Sequence, residues 1–443
     1  MKTLIKNALL VNEGHSFRAD VLIEDGLITQ IEKNGLTSKA DEIIDAEKYI
    51  LIPGVIDDQV HFREPGYTHK ADLTSESRAA VAGGTTSYME MPNTNPAAIT
   101  QTLLEEKYNR ASQISLANYS FFMGTSLDNY DEIMKTPLDK VCGVKIFMGS
   151  STGNMLVDDE VLLDKIFSHC SHLIATHCED DHLIKDNIEK FREIYGDDIP
   201  AEFHPVIRDK EACYRSSSFA MSLAQKHNTR LHILHISTAK ECGLFDETIQ
   251  LMQKRITSEA CVHHLWFTSE DYGRLGHQIK CNPAIKDLND RETIWNALLN
   301  NRIDIIATDH APHTWDEKNQ KYIQAPSGLP LVQHSLQMML EEVKRGRFSI
   351  EKMVEKMCHA PADCFKIRNR GYIREGYAAD LVLINPLQDY TVSKDNLLYK
   401  CGWSPLEGTT FSHSIAYTFV NGIKVFEHGK LIEGSNGQRM VFN

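Results

Sequence analysis

Leu173-Ile-Ala-Thr-His177 is a short apolar run that ends on an imidazole, and Leu231-His-Ile-Leu-His235 repeats the design. Runs of this length and composition, set between polar stretches, read as buried strands. Six more share the pattern: Val55-Ile-Asp, Thr85-Thr-Ser-Tyr-Met-Glu-Met, Ser115-Leu-Ala-Asn-Tyr, Gly143-Val-Lys-Ile-Phe, Ile256-Thr-Ser-Glu-Ala and Ile303-Asp-Ile-Ile-Ala-Thr-Asp. Eight strands alternating with helix-length amphipathic stretches over residues 54–365 predict an α/β protein with a (β/α)8 TIM-like barrel. That fold typically takes about 250 residues before insertions. A doubly wound open sheet is the competing architecture. It wants a Gly-rich phosphate turn after an early strand, and the sequence has none.

Outside the barrel both ends of the chain are β-like. Thr3 to Val11, Ala19 to Glu24 and Gly26 to Glu32 are short strand patterns separated by Asn12-Glu13-Gly14 and Asp25-Gly26. Near the other end stand Ala379-Asp-Leu-Val-Leu-Ile, then Ile415-Ala-Tyr-Thr-Phe-Val, the hairpin signal Asn421-Gly422, and Ile423-Lys-Val-Phe. Neither end is large enough for a core of its own, so residues 1–53 and 366–443 are expected to pack as one split β domain beside a barrel of residues 54–365.

Composition narrows the function. The 443 residues are 42% hydrophobic and 24% charged, an ordinary globular balance. Lys plus Arg number 47 against 61 Asp plus Glu, a formal charge of −14 that offers no footprint for nucleic acid. An anionic small substrate stays open, because one local Arg can hold a carboxylate. No apolar run reaches the roughly 18 residues of a membrane span. Lys6 and Asn7 interrupt what would be a signal core, and the ten cysteines are scattered without a C-x-x-C pair. The expectation is a cytoplasmic enzyme with reduced, mostly buried thiols.

Polar residues gather at the C-terminal ends of the strands, where barrel enzymes carry their active sites. Gln59, His61 and Arg63 follow the first strand, Lys145 lies on the fourth, and His177, His235 and Asp309 close the fifth, sixth and eighth. Strict alternation joins Asp57, Gln59, His61 and Arg63 on one face, Ile233 with His235, and Ile305 with Ala307 and Asp309. Imidazoles and a carboxylate on rigid strands suit Zn2+ or a similar ion. Lys145, in the apolar context Val-Lys-Ile-Phe, is either a snorkelling or paired lysine or a reactive one, since burial disfavours its charge.

Longer motifs carry a resemblance. Pro53-Gly-Val-Ile-Asp-Asp-Gln-Val-His-Phe-Arg-Glu-Pro-Gly66, Thr68-His-Lys, Gly83-Gly-Thr-Thr, Met91-Pro-Asn-Thr-Asn-Pro96, His235-Ile-Ser-Thr and Ala307-Thr-Asp-His-Ala-Pro-His313 resemble the cyclic amidohydrolases, and within them the class I dihydroorotases. The resemblance spans nearly the whole chain. It implies a barrel with a β-sandwich domain, a centre of one or two zinc ions, and reversible cyclisation of N-carbamoyl-L-aspartate to (S)-dihydroorotate in pyrimidine biosynthesis. By the same resemblance His61 and Asp309 hold the more buried metal and His177 and His235 the other. Lys145 matches a lysine that is carbamylated to bridge them. Asp309 is then the catalytic base, taking a proton from the attacking water and returning it to the leaving nitrogen.

For the substrate, the resemblance assigns Arg63, Asn93 and His313 to the dihydroorotate carboxylate, Asn282 to substrate binding, and the backbone of Ser327 and Gly328 to a loop that touches the ring. The bland alternative for Arg63 is an ion pair with Glu64. Gln59 stands where the family has histidine, so the buried metal loses a ligand unless Gln59 binds weakly or Asp58 moves in. His263 and His264 match a family motif and are given no metal. Residues 314–326 are polar, lack helix or strand periodicity, and are expected to form a lid that is mobile until ligand binds. The partners implied are the small-molecule substrate, a second copy in a homodimer, and aspartate transcarbamoylase. Two alternatives remain open: a hydantoinase- or allantoinase-type enzyme with the same metal centre, or a catalytically silent scaffold for aspartate transcarbamoylase.

Overall fold

The computed structural model describes residues 2–149, 155–434 and 437–443. Five strands open the chain: β1 Lys2–Asn12, β2 His15–Glu24, β3 Leu27–Glu32, β4 Glu42–Asp45 and β5 Ile50–Pro53. Two-residue turns join the first three. Glu13 with Gly14 (φ 51° and 75°) and Asp25 with Gly26 (φ 51° and 85°) are both left-handed pairs, which a right-twisted hairpin requires.

The barrel strands follow: β6 Val55–Val60, β7 Thr85–Glu90, β8 Asn118–Phe121, β9 Met123–Gly124, β10 Val144–Phe147, β11 Ile174–His177, β12 Leu231–Ile233, β13 Ile256–Cys261 and β14 Ile305–Ala307. All pair in parallel, β6 to β8 in one ladder and β9 to β14 in another. Only Phe122 separates β8 from β9, so these two are one interrupted strand. The ring closes where Val60 bridges His310 and the His61 N–H donates to the His310 carbonyl at 2.7 Å. This is the expected eight-stranded barrel. Every residue of β6, β7, β10 and β11 is buried, as parallel strands covered on both faces must be.

Helix starts are written locally in the sequence. Asp72, Thr100, Asp159, Asp180, Asp209 and Asp287 each precede a helix and accept a hydrogen bond from a backbone N–H in its first turn. Such a cap is worth about 1 kcal/mol. At one end of the barrel Ile56, Met89, Ala175 and Ile305 cluster with Phe365, Met440 and Phe442. The last residues run beside β8, where the Met440 N–H donates to the Tyr119 carbonyl at 3.0 Å.

After the barrel come β15 Leu381–Asn385, β16 Tyr390–Thr391, β17 Thr410–Phe411, β18 Ser414–Val420, β19 Ile423–Glu427 and β20 Lys430–Leu431. β16 and β17 pair only with each other, while the rest join the opening strands in the order β20-β19-β18-β15-β5-β1-β2-β3, with β4 beside β1. The two chain ends therefore share one hydrogen-bonded sheet. β15 and β3 stand four places apart, roughly 19 Å in a flat sheet. Yet Leu27 bridges Ala378, and the Ala379 N–H donates to the Gly26 carbonyl at 2.9 Å. The sheet is thus rolled into two continuous layers around Ile5, Val21, Ile28, Leu51, Leu381 and Phe419. No helix among the described residues is long and apolar enough to cross a membrane.

Candidate active site

A cavity of about 250 Å³ opens at the C-terminal ends of the barrel strands. Its wall contains Gln59, His61, Lys145, His177, His235 and Asp309 together with Arg63, Asn93, Asn282, His313, Ser327 and Gly328. All twelve residues singled out from the sequence therefore meet in one place, joined by Phe147, Ala311 and Pro326, which the sequence did not mark.

The backbone reaches this convergence by breaking alternation, not by keeping it. Ile233 packs in the main core with the barrel helices, whereas His232, one residue earlier, lies inside against Glu259 at 3.2 Å. Strict alternation would then send His235 outward. It turns into the cavity because its φ is +40°, and Arg63 (φ 69°) and Asp309 (φ 48°) turn the same way. Left-handed backbone at a non-glycine residue costs on the order of 1–3 kcal/mol and persists where the surroundings demand it. Asp57 corrects the expected shared face as well. The β6 ladder shifts register between Asp57 and Val60, and the Asp57 carboxylate accepts from Thr308 Oγ1 at 2.6 Å instead of lining the cavity.

The imidazoles are neutral and oriented. Burial holds His61 and His177 below the ordinary histidine range and His235 well below it. His177 donates through Nε2 to Glu179 at 2.9 Å, and Glu179 is gripped by the Arg208 guanidinium at 2.9 and 2.5 Å. The remaining His177 nitrogen, Nδ1, lies 2.9 Å from His235 Nε2. On the other side His61 Nδ1 lies 2.8 Å from Asn93 Oδ1, and its Nε2 faces Asp309 Oδ1 at 3.1 Å. A ring that donates through Nδ1 turns a lone pair toward that carboxylate, a contact that only a proton or a cation between them satisfies. His235 Nδ1 is buried with no hydrogen-bond partner among the described residues. Lys145 is 1% exposed and in no ion pair among the described residues, and burial lowers its ammonium pKa to about 7. Neutral imidazoles, a carboxylate and a deprotonatable lysine form a donor set that fits a divalent ion.

Gln59 takes a different part from the one open to a ligand. Its Nε2 donates to Asp309 Oδ1 at 3.2 Å, and its Oε1 receives the Cys261 thiol at 3.6 Å. Asp58 lies elsewhere. Its carboxylate pairs with His232 at 3.3 Å, inside the barrel and outside the cavity lining.

Another part of the cavity wall is cationic. The Arg63 Nε–H donates to the Pro312 carbonyl at 3.2 Å, and Nη2 lies 3.0 Å from His313 Nε2. Arg63 has no carboxylate partner among the described residues, and Glu64 pairs with Arg110 at 2.8 Å instead. Burial brings the Arg63 guanidinium down to about 10. Lys70 Nζ lies 3.1 Å from His313 Nδ1 and pairs with Glu317 at 2.9 Å. Burial, with Arg63 and Lys70 nearby, keeps His313 neutral.

The segment 314–326 holds a short helix that its sequence pattern did not show. Thr314 caps a short helix, Trp315–Lys318, through a reciprocal box with Glu317. Lys318 is 1% exposed and donates from Nζ to the carbonyls of Lys280, Pro326 and Gly328 at 3.0, 2.9 and 2.9 Å. Lys280 Nζ donates to the carbonyls of Tyr322 and Ala325, both at 2.6 Å. The segment is a strap fastened by two buried lysine side chains. We expect its amides to exchange slowly without ligand and Lys318→Met to speed exchange at 319–328 by at least about tenfold, since each lost bond is worth about 1 kcal/mol. Rapid exchange in the unmodified protein would restore the mobile lid.

Some of this was hidden in the sequence. Glu179 stands two residues after His177 and shares its face, a signal that parity offers. Arg208, Lys280 and Lys318 give no such signal.

A model described as the amidohydrolase family matches residues 50–425. The dihydroorotase of Methanosphaera stadtmanae is 32% identical over 418 residues, 91% of this chain and 92% of that one. The dihydroorotase of Pyrococcus abyssi is 30% identical over 442 residues, 100% and 99% of the two chains. Among solved structures, the L-hydantoinase (dihydropyrimidinase) of Arthrobacter aurescens superposes with a TM-score of 0.93 at 26% identity over 99% of each chain. A dihydropyrimidinase from Brevibacillus agri shares the fold, with a TM-score of 0.89 at 21% identity over 98% of this chain and 96% of that one. The chain belongs to the amidohydrolase family.

Proposed function

We propose that the protein is a dihydroorotase, catalysing reversible ring closure of N-carbamoyl-L-aspartate to (S)-dihydroorotate for pyrimidine biosynthesis. The observation that carries this reading is Arg63, a buried guanidinium facing the cavity with no ion-paired carboxylate among the described residues. A buried cation without a counter-charge is costly, and a substrate carboxylate removes that cost. Neighbouring His313 and Asn93 can donate or adapt to the same group.

In the hydrolytic direction water attacks the ring amide carbonyl. Asp309 accepts the proton from that water, and the ring C–N bond breaks as Asp309 delivers the proton to the departing nitrogen. Gln59 and His61 both lie against Asp309 Oδ1, at 3.2 and 3.1 Å, and fix the carboxylate's direction. His177 and His235, with Lys145, would hold one zinc ion, and His61 with Asp309 the place for another. Zinc bound there would supply Lewis acidity, making water more acidic and the carbonyl more electrophilic. With a pKa of about 7, Lys145 is half neutral near neutral pH, so its amine can add to CO2 and lose a proton, giving an anion able to join both places.

The hydantoinase reading draws on the likeness to the Arthrobacter enzyme. A hydantoin or dihydrouracil ring lacks a carboxylate and would leave Arg63 buried and unpaired. Purified, zinc-supplied protein should turn over dihydroorotate and form it from N-carbamoyl-L-aspartate. Equal or faster turnover of hydantoin would favour the other reading, and no turnover of either would leave the scaffold.

A further inference from the structure

His263, His264 and Cys281 lie outside the cavity lining, and no step above uses them. We propose that they form an additional metal site for a thiophilic divalent ion, with Zn2+ as its occupant. One donor atom from each lies within 4.8 Å of the others, and the two rings are 4.1 Å apart. Ligands around tetrahedral zinc are roughly 3.3–3.8 Å apart, so small side-chain rotations close the set. Two imidazoles and a thiolate select zinc over Mg2+ or Ca2+, which prefer oxygen.

The unpaired atoms point to the same conclusion. His264 Nδ1 has no hydrogen-bond partner among the described residues, and His263 has only a marginal contact with the Thr308 backbone. Both rings are buried, at 0% and 3% exposure. Buried polar atoms are almost always paired, so a bare His264 nitrogen beside a weakly held His263 ring needs an explanation. His264 also carries the outer hydrogen bond typical of a ligand. Its Nε2 lies 3.1 Å from the Pro283 carbonyl and donates to it, fixing the tautomer that leaves a lone pair on Nδ1.

Protonation is compatible with this use. Burial lowers His263 to about 4 and His264 well below its ordinary value, so both rings are neutral. Cys281, 0% exposed, points its thiol at the Pro283 carbonyl at 3.2 Å, and burial raises its pKa. A bound ion would displace that thiol proton, so loading should release a proton and weaken as pH falls. His263 and His264 begin the helix Val262–Trp266 directly after β13, while Cys281 precedes Asn282 of the cavity wall. The ion would therefore tie the end of β13 to the loop that presents Asn282.

The test is zinc-edge X-ray absorption on the full chain dialysed against Zn2+. No cysteine lines the cavity, so a zinc–sulfur path at about 2.3 Å reports this site and not the one proposed for catalysis. The path should be present in the unmodified protein and survive in His177→Asn. It should vanish in Cys281→Ser, with bound zinc falling by one ion per chain. Zinc-loaded protein without a sulfur path would overturn the proposal, and so would a path that persists in Cys281→Ser. The first measurement needs no variant, so misfolding of Cys281→Ser cannot shelter the idea. Catalytic failure with the sulfur path intact would count against the dihydroorotase reading alone.

Discussion

Replacing Asp309 by Asn leaves a folded protein that turns over dihydroorotate about a thousandfold more slowly. The carboxamide keeps the size of the side chain but can neither take the water's proton nor pass it to the ring nitrogen. Proton transfer by a positioned side chain is worth about 10²–10⁴ in rate. Gln59 Nε2, at 3.2 Å, donates to the same carboxylate oxygen, so an amide nitrogen placed there would also leave a donor facing a donor. Both directions of the reaction should fall together, because one group serves both. Turnover within about tenfold of the parent would remove Asp309 from the role of base.

Arg63→Met has the second large effect. It deletes the guanidinium facing the cavity and leaves a substrate carboxylate desolvated without a partner. Truncating one member of such a pair costs about 2–5 kcal/mol, roughly 30-fold to several thousandfold in kcat/KM for dihydroorotate. Bound zinc should not change, since the hydrogen bonds of Arg63 go to Pro312 and His313 and to none of the residues that would hold the ion. Loss of zinc with unchanged affinity for dihydroorotate would make Arg63 a structural residue.

The barrel was legible because its signals are local. Each strand is a short apolar run, and Asp72, Asp159, Asp180, Asp209 and Asp287 announce the helices by capping them. Residues at strand ends such as His177 and Asp309 could be assigned to one mouth by topology alone. What stayed hidden depends on contacts distant in sequence or on single backbone angles. Alternation mispaired Ile233 with His235 because nothing in the sequence announces the left-handed turn at His235. The strap over residues 314–326 read as loose because Lys318 looks like any surface lysine until its three carbonyl partners assemble around it. Gln59 read as a doubtful ligand, and the sequence did not show that the fold gives its amide a carboxylate to hold.

The central claim is that a substrate carboxylate completes Arg63. It is tested most directly by kcat/KM for dihydroorotate and for dihydrouracil, the same ring without the carboxylate, in the unmodified protein and in Arg63→Met. The unmodified protein should prefer dihydroorotate by about 100-fold or more, and Arg63→Met should lose most of that preference while its activity on dihydrouracil changes little. A preference that survives the substitution undiminished would contradict the account.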